Sequence, residues 1–203
     1  MKKTALNVPN TLSLIRVLLV PVFVAALLFM RDICIWGCVV PAVIYIITGL
    51  TDMLDGKIAR KYNLITDFGK FIDPLADKFM VIGSQIAMLV WMLLRAKTQA
   101  DVILAMVFVW VVLIILLREL GVTSLRLVVA GNSGIVVAAS LLGKLKTVSQ
   151  MVGTVVILIE PVIPFFSENH ILSYIFMVLM TFTTLFSGYD YLKAYMPYVD
   201  ANK

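Results

Sequence analysis

The sequence predicts an all-α integral membrane protein: a six-transmembrane-helix bundle with a short N-terminal interfacial helix, forming one domain over residues 1–203. Three observations carry this. Hydrophobic residues make up 62% of the chain and its mean hydropathy is +1.02, whereas a soluble domain is about 45–50% apolar. Apolar runs near the roughly 20 residues that cross a bilayer recur six times, at 11–30, 33–57, 72–94, 101–129, 145–165 and 171–192. Basic residues collect between alternate runs, as they do in cytoplasmic loops.

Taken in order, the opening "NVPNTLSLIR" reads as a separate short element. Pro9 resists helix continuation from upstream, and Asn10 or Thr11 can cap the helix that begins there. Arg16 is the sole charge of the first apolar stretch, which places this end at the interface. Lys2 and Lys3 resemble the start of a signal peptide. No small-residue cleavage site closes the run at "MRDICIW", so the first helix is expected to remain. The second run ends in "GLTDMLDGKIAR", and the third opens in "GKFIDPLADKF". The fourth carries Arg118, Glu119, Thr123 and Arg126 near its end, and "GNSG" at 131–134 signals a turn. Lys144 and Lys146 open the fifth, and two prolines in "EPVIPF" close it.

With Lys2 and Lys3 inside, loops 57–71 and 130–144 and the tail are also inside. Only Arg31, Arg95 and Lys97 of the 17 basic residues then fall outside. Both termini are therefore expected on the cytoplasmic side, with Glu160, Glu168 and the lone His170 on the other. His170 beside "SEN" reads as a surface residue and not a ligand. The formal charge of +5 fits a basic face against anionic lipid. Three tryptophans without a basic–aromatic repeat argue against nucleic acid. Cys34 and Cys38 have no third cysteine or histidine nearby and read as small core residues.

Four carboxylates stand out. Asp52 and Asp55 are three apart, and Asp73 and Asp77 are four apart, so each pair shares a helix face at about 100° per residue. A short loop joins the two helix ends, so they should pack antiparallel and bring all four acids to one depth. Charges within spans are functional by default. Like charges this close need neutralising, and an all-oxygen set favours Mg²⁺, Mn²⁺ or Ca²⁺ over zinc. The bland alternative pairs them with Lys57, Arg60, Lys70 or Lys78. Gly56, Ala59 and Gly69 leave smooth surface beside the acids, and Arg60 could receive a phosphate.

The pattern Asp52-x2-Asp55-Gly56-x2-Ala59-Arg60-x8-Gly69-x3-Asp73-x3-Asp77 resembles the signature of the CDP-alcohol phosphotransferase family at all eight positions. The resemblance implies transfer of a phosphoryl group from a CDP-linked donor to an alcohol, with release of CMP. It implies two divalent cations, Mg²⁺ or Mn²⁺, held by Asp52, Asp55, Asp73 and Asp77, with Asp77 also the base for the attacking hydroxyl. Thr51, Asp55, Gly56, Ala59, Arg60 and Gly69 would shape the CDP site. Family members are generally homodimers.

Arg118 and Arg126 are eight apart, about 80° of rotation and ~12 Å of rise, so both can line one cavity. With Lys144 and Lys146 they suit a phosphate on the acceptor; an Arg118–Glu119 network with positive-inside anchoring is the alternative. "NVPNTLSLIRVLLVPVF", "RELGVTSLRLV" and "GKLKTVSQM" look like segments of the family's bacterial phosphatidylglycerophosphate synthases, from residue 7 to about 153. This likeness implies CDP-diacylglycerol and sn-glycerol 3-phosphate as substrates and a multi-pass protein of the bacterial cytoplasmic membrane. Arg118, Arg126, Lys144 and Lys146 would hold the acceptor phosphate. Inositol phosphate or phosphatidylglycerol is the alternative acceptor. A divalent cation transporter is disfavoured, since the acids crowd one side and the other halves of the helices are almost unbroken apolar runs.

Overall fold

The computed structural model describes residues 8–30, 36–61, 66–133 and 141–198. Within the helices, the side chains of residues 8, 9, 36, 53–61, 67, 70, 132 and 133 lie outside that description. Among the described residues seven α-helices follow one another: α1 Val8–Phe29, α2 Trp36–Lys61, α3 Asp67–Arg95, α4 Gln99–Ser133, α5 Leu141–Ile159, the short α6 Pro164–Ser167, and α7 Ile171–Tyr195. A 3-10 turn at Glu160–Val162 links α5 to α6, and another at Met196–Tyr198 follows α7. No strand occurs among the described residues.

Among the described residues five helices are long and apolar enough to cross a membrane: Asn10–Phe29, Phe71–Arg95, Gln99–Gly131, Leu141–Val162 and Ile171–Tyr198. The chain is thus a multi-pass, all-helical membrane protein. α2 differs from the expected span at 33–57, because its apolar part runs only over Gly37–Asp52 before the acidic stretch begins. The expected separate element at "NVPNTLSLIR" is also different here. Residues 8–16 are the opening turns of α1, which continues through Pro21. Residues 1–7 lie outside the description.

α1 packs against both α2 and α3, α5 against α2 and α7, and α4 against α3 and α7. Phe23, Tyr45, Met88, Trp91, Phe108, Ile115, Ile157 and Met180 are buried between them. Leu18, Phe29, Trp110, Leu117, Leu127 and Phe182 point outward, as a lipid-facing surface requires. Polar residues go inward and bridge helices instead. Gln85 Nε2 donates to Thr154 Oγ1 at 2.9 Å, and Gln150 Nε2 to Thr184 Oγ1 at 3.1 Å.

Two helix ends show why the chain turns where it does. Thr66 caps α3 by accepting the Gly69 N–H at 3.0 Å, so α3 starts before the expected residue 72. Glu160, expected in an exposed loop, is buried. Its carboxylate accepts the N–H groups of Leu172 at 2.7 Å and Ser173 at 3.0 Å, which the start of α7 leaves unpaired. His170 adopts φ 50° there, and its Nε2 meets Asp101 Oδ1 at 3.0 Å, tying the start of α7 to that of α4. Cys38 is a buried free thiol; Cys34 lies outside the described residues.

α4 runs unbroken through Arg118, Glu119, Thr123 and Arg126. Its 35 residues span about 52 Å at 1.5 Å each. That exceeds a hydrocarbon core of about 30 Å, so one end must project into the headgroup zone. A helix whose polar residues lie in that projecting end needs no interruption to carry them.

Candidate active site

The site begins on α1. Asn10, Ser13 and Arg16 follow one another at intervals of three, so they form a polar stripe on an otherwise apolar helix. All three are buried; Arg16 is 1% exposed. An arginine inside a membrane helix must find anionic partners. Arg16 Nη1 lies 2.5 Å from Asp52 Oδ1 on α2, and the same nitrogen donates to Asp77 Oδ1 on α3. Ser13 Oγ donates to Asp73 Oδ1 at 2.5 Å. Asn10 Nδ2 donates to Thr66 Oγ1 at 2.8 Å. α1 is therefore a wedge that pins three of the four aspartates from its polar edge. None of these three residues has a part in the site as read from sequence, although polar positions every three residues in an apolar helix are an available signal.

Gly69 explains how close the wedge comes. A Cβ there would lie 2.7 Å from Asn10 Oδ1 and 3.2 Å from Thr66 Oγ1. Only a residue without a side chain lets α3 approach α1 at this point.

A second close approach sets the depth of the site. A Cβ on Gly49 of α2 would sit 1.9 Å from Met151 Cε of α5 and 3.6 Å from Met80 Cε of α3. α2, α3 and α5 thus meet in one layer. α2 runs opposite to α3 and α5. Asp52 follows Gly49 by three residues, Asp77 precedes Met80 by three, and Lys146 precedes Met151 by five. At 1.5 Å per residue these displacements are about 4.5, 4.5 and 7.5 Å, all toward the same end of the bundle. The aspartates and Lys146 therefore share one level.

Asp52 and Asp77 are partly exposed, with side chains 34% and 54% accessible, while Arg16 behind them is not. The carboxylates of Asp52, Asp73 and Asp77 are hard oxygen donors, of the kind that suits divalent cations. Among the described residues no three His, Cys, Asp or Glu side chains are gathered to hold a metal ion. Asp55 lies on α2 one turn past Asp52, and its side chain, with those of Ala59 and Arg60 and the surroundings of Gly56, lies outside the description. Thr51 is half-buried, and its hydroxyl donates to the Thr48 carbonyl at 2.6 Å.

The basic residues of α4 and α5 form a second cluster. Lys146, buried, and Arg118 share one carboxylate: Lys146 Nζ donates to Glu119 Oε1, and Arg118 Nη1 approaches the same oxygen at 3.1 Å. The Arg118–Glu119 pair, the alternative to an anion site, is thus present. Two cations on one carboxylate still leave positive charge over. Arg118 also donates to Ser187 Oγ at 2.5 Å, and its guanidinium lies 5.3 Å from the Tyr191 ring centroid. Arg126, exposed, lies 5.9 Å from the same ring, so the two arginines do meet one surface. A Cβ on Gly188 would lie 3.3 Å from Arg118 Cγ, so α7 makes room for the arginine stem. Lys144 is exposed, two residues before Lys146 on α5. Lys78, next to Asp77, is near enough to Lys146 for their charges to interact, which links the two clusters.

A family model described as CDP-alcohol phosphatidyltransferase matches residues 6–186. The chain is 37% identical over 197 residues to a CDP-diacylglycerol–glycerol-3-phosphate 3-phosphatidyltransferase of Bacillus subtilis (strain 168), covering 91% of this chain and 93% of that one. It is 33% identical over 192 residues to a protein of the same name in Rickettsia felis, covering 95% and 97%. It is 35% identical over 190 residues to a probable phosphatidylglycerophosphate synthase of Mycobacterium tuberculosis (strain ATCC 25618 / H37Rv), covering 91% and 79%.

Proposed function

Since the chain belongs to the CDP-alcohol phosphatidyltransferase family, we propose that it transfers the phosphatidyl group of CDP-diacylglycerol to sn-glycerol 3-phosphate, giving phosphatidylglycerol phosphate and CMP. The observation that carries this reading is the convergence of Asp52, Asp73 and Asp77 on the polar stripe of α1, level with the basic cluster at Lys146.

Asp77 acts as the base. It accepts the proton of the acceptor hydroxyl, whose oxygen forms a bond to the phosphatidyl phosphorus while the bond from phosphorus to the CMP oxygen breaks. The proton ends on Asp77 and the electron pair leaves with CMP. Arg16, fixed between Asp52 and Asp77, keeps the base aimed. Asp52, Asp55, Asp73 and Asp77 would hold two divalent cations, Mg²⁺ or Mn²⁺, whose charge would stabilise the pyrophosphate oxygens and the leaving phosphate. Thr51, Asp55, Gly56, Ala59, Arg60 and Gly69 would shape the CDP site, as the family likeness implies. Gly69 acts there by closing α3 on α1. Arg118, Arg126, Lys144 and Lys146 bind the phosphate of the acceptor, with Glu119 orienting Arg118 and Lys146.

The catalytic unit is one domain in the bacterial cytoplasmic membrane. α2 is its sixth span, its apolar part Gly37–Asp52 supplemented by the polar turns that reach the headgroups. Both termini and the aspartates face the cytoplasm, the side where 14 of the 17 basic residues fall. A lipid donor then lies in the bilayer while a soluble acceptor enters from water. A homodimer belongs to the same reading by family likeness. The test is purified protein with CDP-diacylglycerol, Mg²⁺ and a panel of acceptors, scored by CMP release. Turnover with glycerol 3-phosphate is expected; turnover with inositol phosphate or phosphatidylglycerol in its place would reassign the acceptor.

A further inference from the structure

We propose that Tyr191 is a positioning residue for the acceptor phosphate: its ring holds the guanidinium groups of Arg118 and Arg126 together, ready to receive that phosphate. The proposal rests on the glycerol 3-phosphate reading of the site and adds to it a further wall, supplied by α7. Tyr191 and its neighbour one turn earlier, Ser187, stand outside the sequence segments that suggest an acceptor site, which end near residue 153.

Helix periodicity sets the placement. On α4, Arg118, Val122, Arg126 and Val129 follow at steps of four, four and three, so they share one face. On α7, Ser187, Tyr191 and Tyr195 follow at steps of four and share another. The two faces meet: Val122, Val129, Tyr191 and Tyr195 are buried together in a small cluster apart from the main core. Tyr191 is 4% exposed, and Tyr195 stacks on it with 6.1 Å between ring centroids and 13° between planes. The Tyr191 ring is thus packed in place beside the arginines.

The two arginines depend on that ring unequally. Arg118 has polar partners as well: Nη1 lies 3.1 Å from Glu119 Oε1, and Nη2 donates to Ser187 Oγ at 2.5 Å. Arg126 is exposed and has no carboxylate partner among the described residues. Its guanidinium lies over the Tyr191 ring, 5.9 Å from the centroid, and that of Arg118 lies at 5.3 Å. Both distances are within the reach of about 6 Å at which a guanidinium is drawn to an aromatic face. The two residues are about 12 Å apart along α4, yet their head groups come to one ring. A ring differs from a carboxylate in what it leaves over. It holds the cation without neutralising its charge or using its N–H donors, so both stay available to a phosphate. An arginine already seated in this way also has less side-chain freedom to lose on binding.

The test uses the full chain purified in a non-ionic detergent, with Tyr191→Leu, which removes the ring, and Tyr191→Phe, which keeps it. CMP release gives kcat and the KM for each substrate, and calorimetric titration gives the affinity for inorganic phosphate. Tyr191→Leu should raise the KM for glycerol 3-phosphate about five- to tenfold, the size of a lost ring contact to two arginines. It should weaken phosphate binding by a like factor, with kcat and the KM for CDP-diacylglycerol little changed. Tyr191→Phe should match the wild type in all four. Stepwise fluorination of the ring in Tyr191→Phe drains its negative face at nearly constant shape. The KM for glycerol 3-phosphate should climb along that series, which decides the matter even where Tyr191→Leu fails to fold. A wild type that ignores glycerol 3-phosphate, with phosphate binding still weakened in Tyr191→Leu, would strike the acceptor reading and keep the role of Tyr191. Turnover of glycerol 3-phosphate with an unchanged KM in folded Tyr191→Leu, a flat fluorine series, or equal losses for both substrates would overturn the role of Tyr191 and keep the acceptor reading.

Discussion

Replacing Arg16 is the most informative perturbation of the site. Its guanidinium is buried, and one nitrogen serves Asp52 and Asp77 together. In Arg16→Ala both carboxylates lose their anchor while Ser13 still holds Asp73. Breaking a fully buried pair costs about 3–5 kcal/mol. Here the acids are 34% and 54% accessible, and water can resolvate them, so a loss of about 1–3 kcal/mol is expected. Catalysis should suffer more. A base displaced by about 1 Å loses about 100-fold in rate, equal to roughly 2.7 kcal/mol of barrier. The assay is steady-state CMP release at saturating CDP-diacylglycerol and Mg²⁺, with an unfolding scan of the same preparation. kcat should fall about 100-fold while the protein remains folded, and Arg16→Lys should recover part of it. An Arg16→Ala protein with kcat within about threefold of wild type, a change of only about 0.7 kcal/mol, would refute the anchoring role.

The same geometry yields three further outcomes. Asp77→Asn should abolish CMP release with little change in the unfolding temperature, because the amide keeps the shape and loses the base; a nearly active variant would remove Asp77 from that role. Gly69→Ala should destabilise by about 1–3 kcal/mol, since the new Cβ would press on Asn10. Asn10→Ala should relieve part of that loss in a double-mutant cycle, and strict additivity would argue against the contact. Glu119→Gln should raise the KM for glycerol 3-phosphate several-fold more than it changes the KM for CDP-diacylglycerol, as Arg118 and Lys146 lose their common anchor; equal effects on both substrates would point to general unfolding.

The aspartates stand out in the sequence because their signal is local. Asp52 and Asp55, and Asp73 and Asp77, declare themselves by helical spacing at the edges of apolar runs, where a charge has no cheap explanation. Arg16 had one: an arginine near a helix end can reach the headgroups with its long stem. Its true partners lie 36 and 61 residues away, a pairing that exists only once α1 wedges between α2 and α3. Glu160 was hidden in the same manner, since an acid beside two prolines looks like a loop until the start of α7 folds over it. The spacing of Arg118 and Arg126 did foretell a common surface, but their aromatic floor at Tyr191 and the sharing of Glu119 with Lys146 depend on contacts between helices. Span limits blurred at α2 and α3, where polar turns continue apolar helices without a break.

The central claim is metal-assisted transfer at the aspartates pinned by α1. The most direct measurement tracks CMP and phosphatidylglycerol phosphate together, using purified protein, CDP-diacylglycerol and glycerol 3-phosphate, before and after chelation. The two products should appear in equal amounts, stop when divalent cations are removed, and resume when Mg²⁺ or Mn²⁺ is restored. CMP release that ignores glycerol 3-phosphate, or that continues unchanged in chelator, would contradict the account.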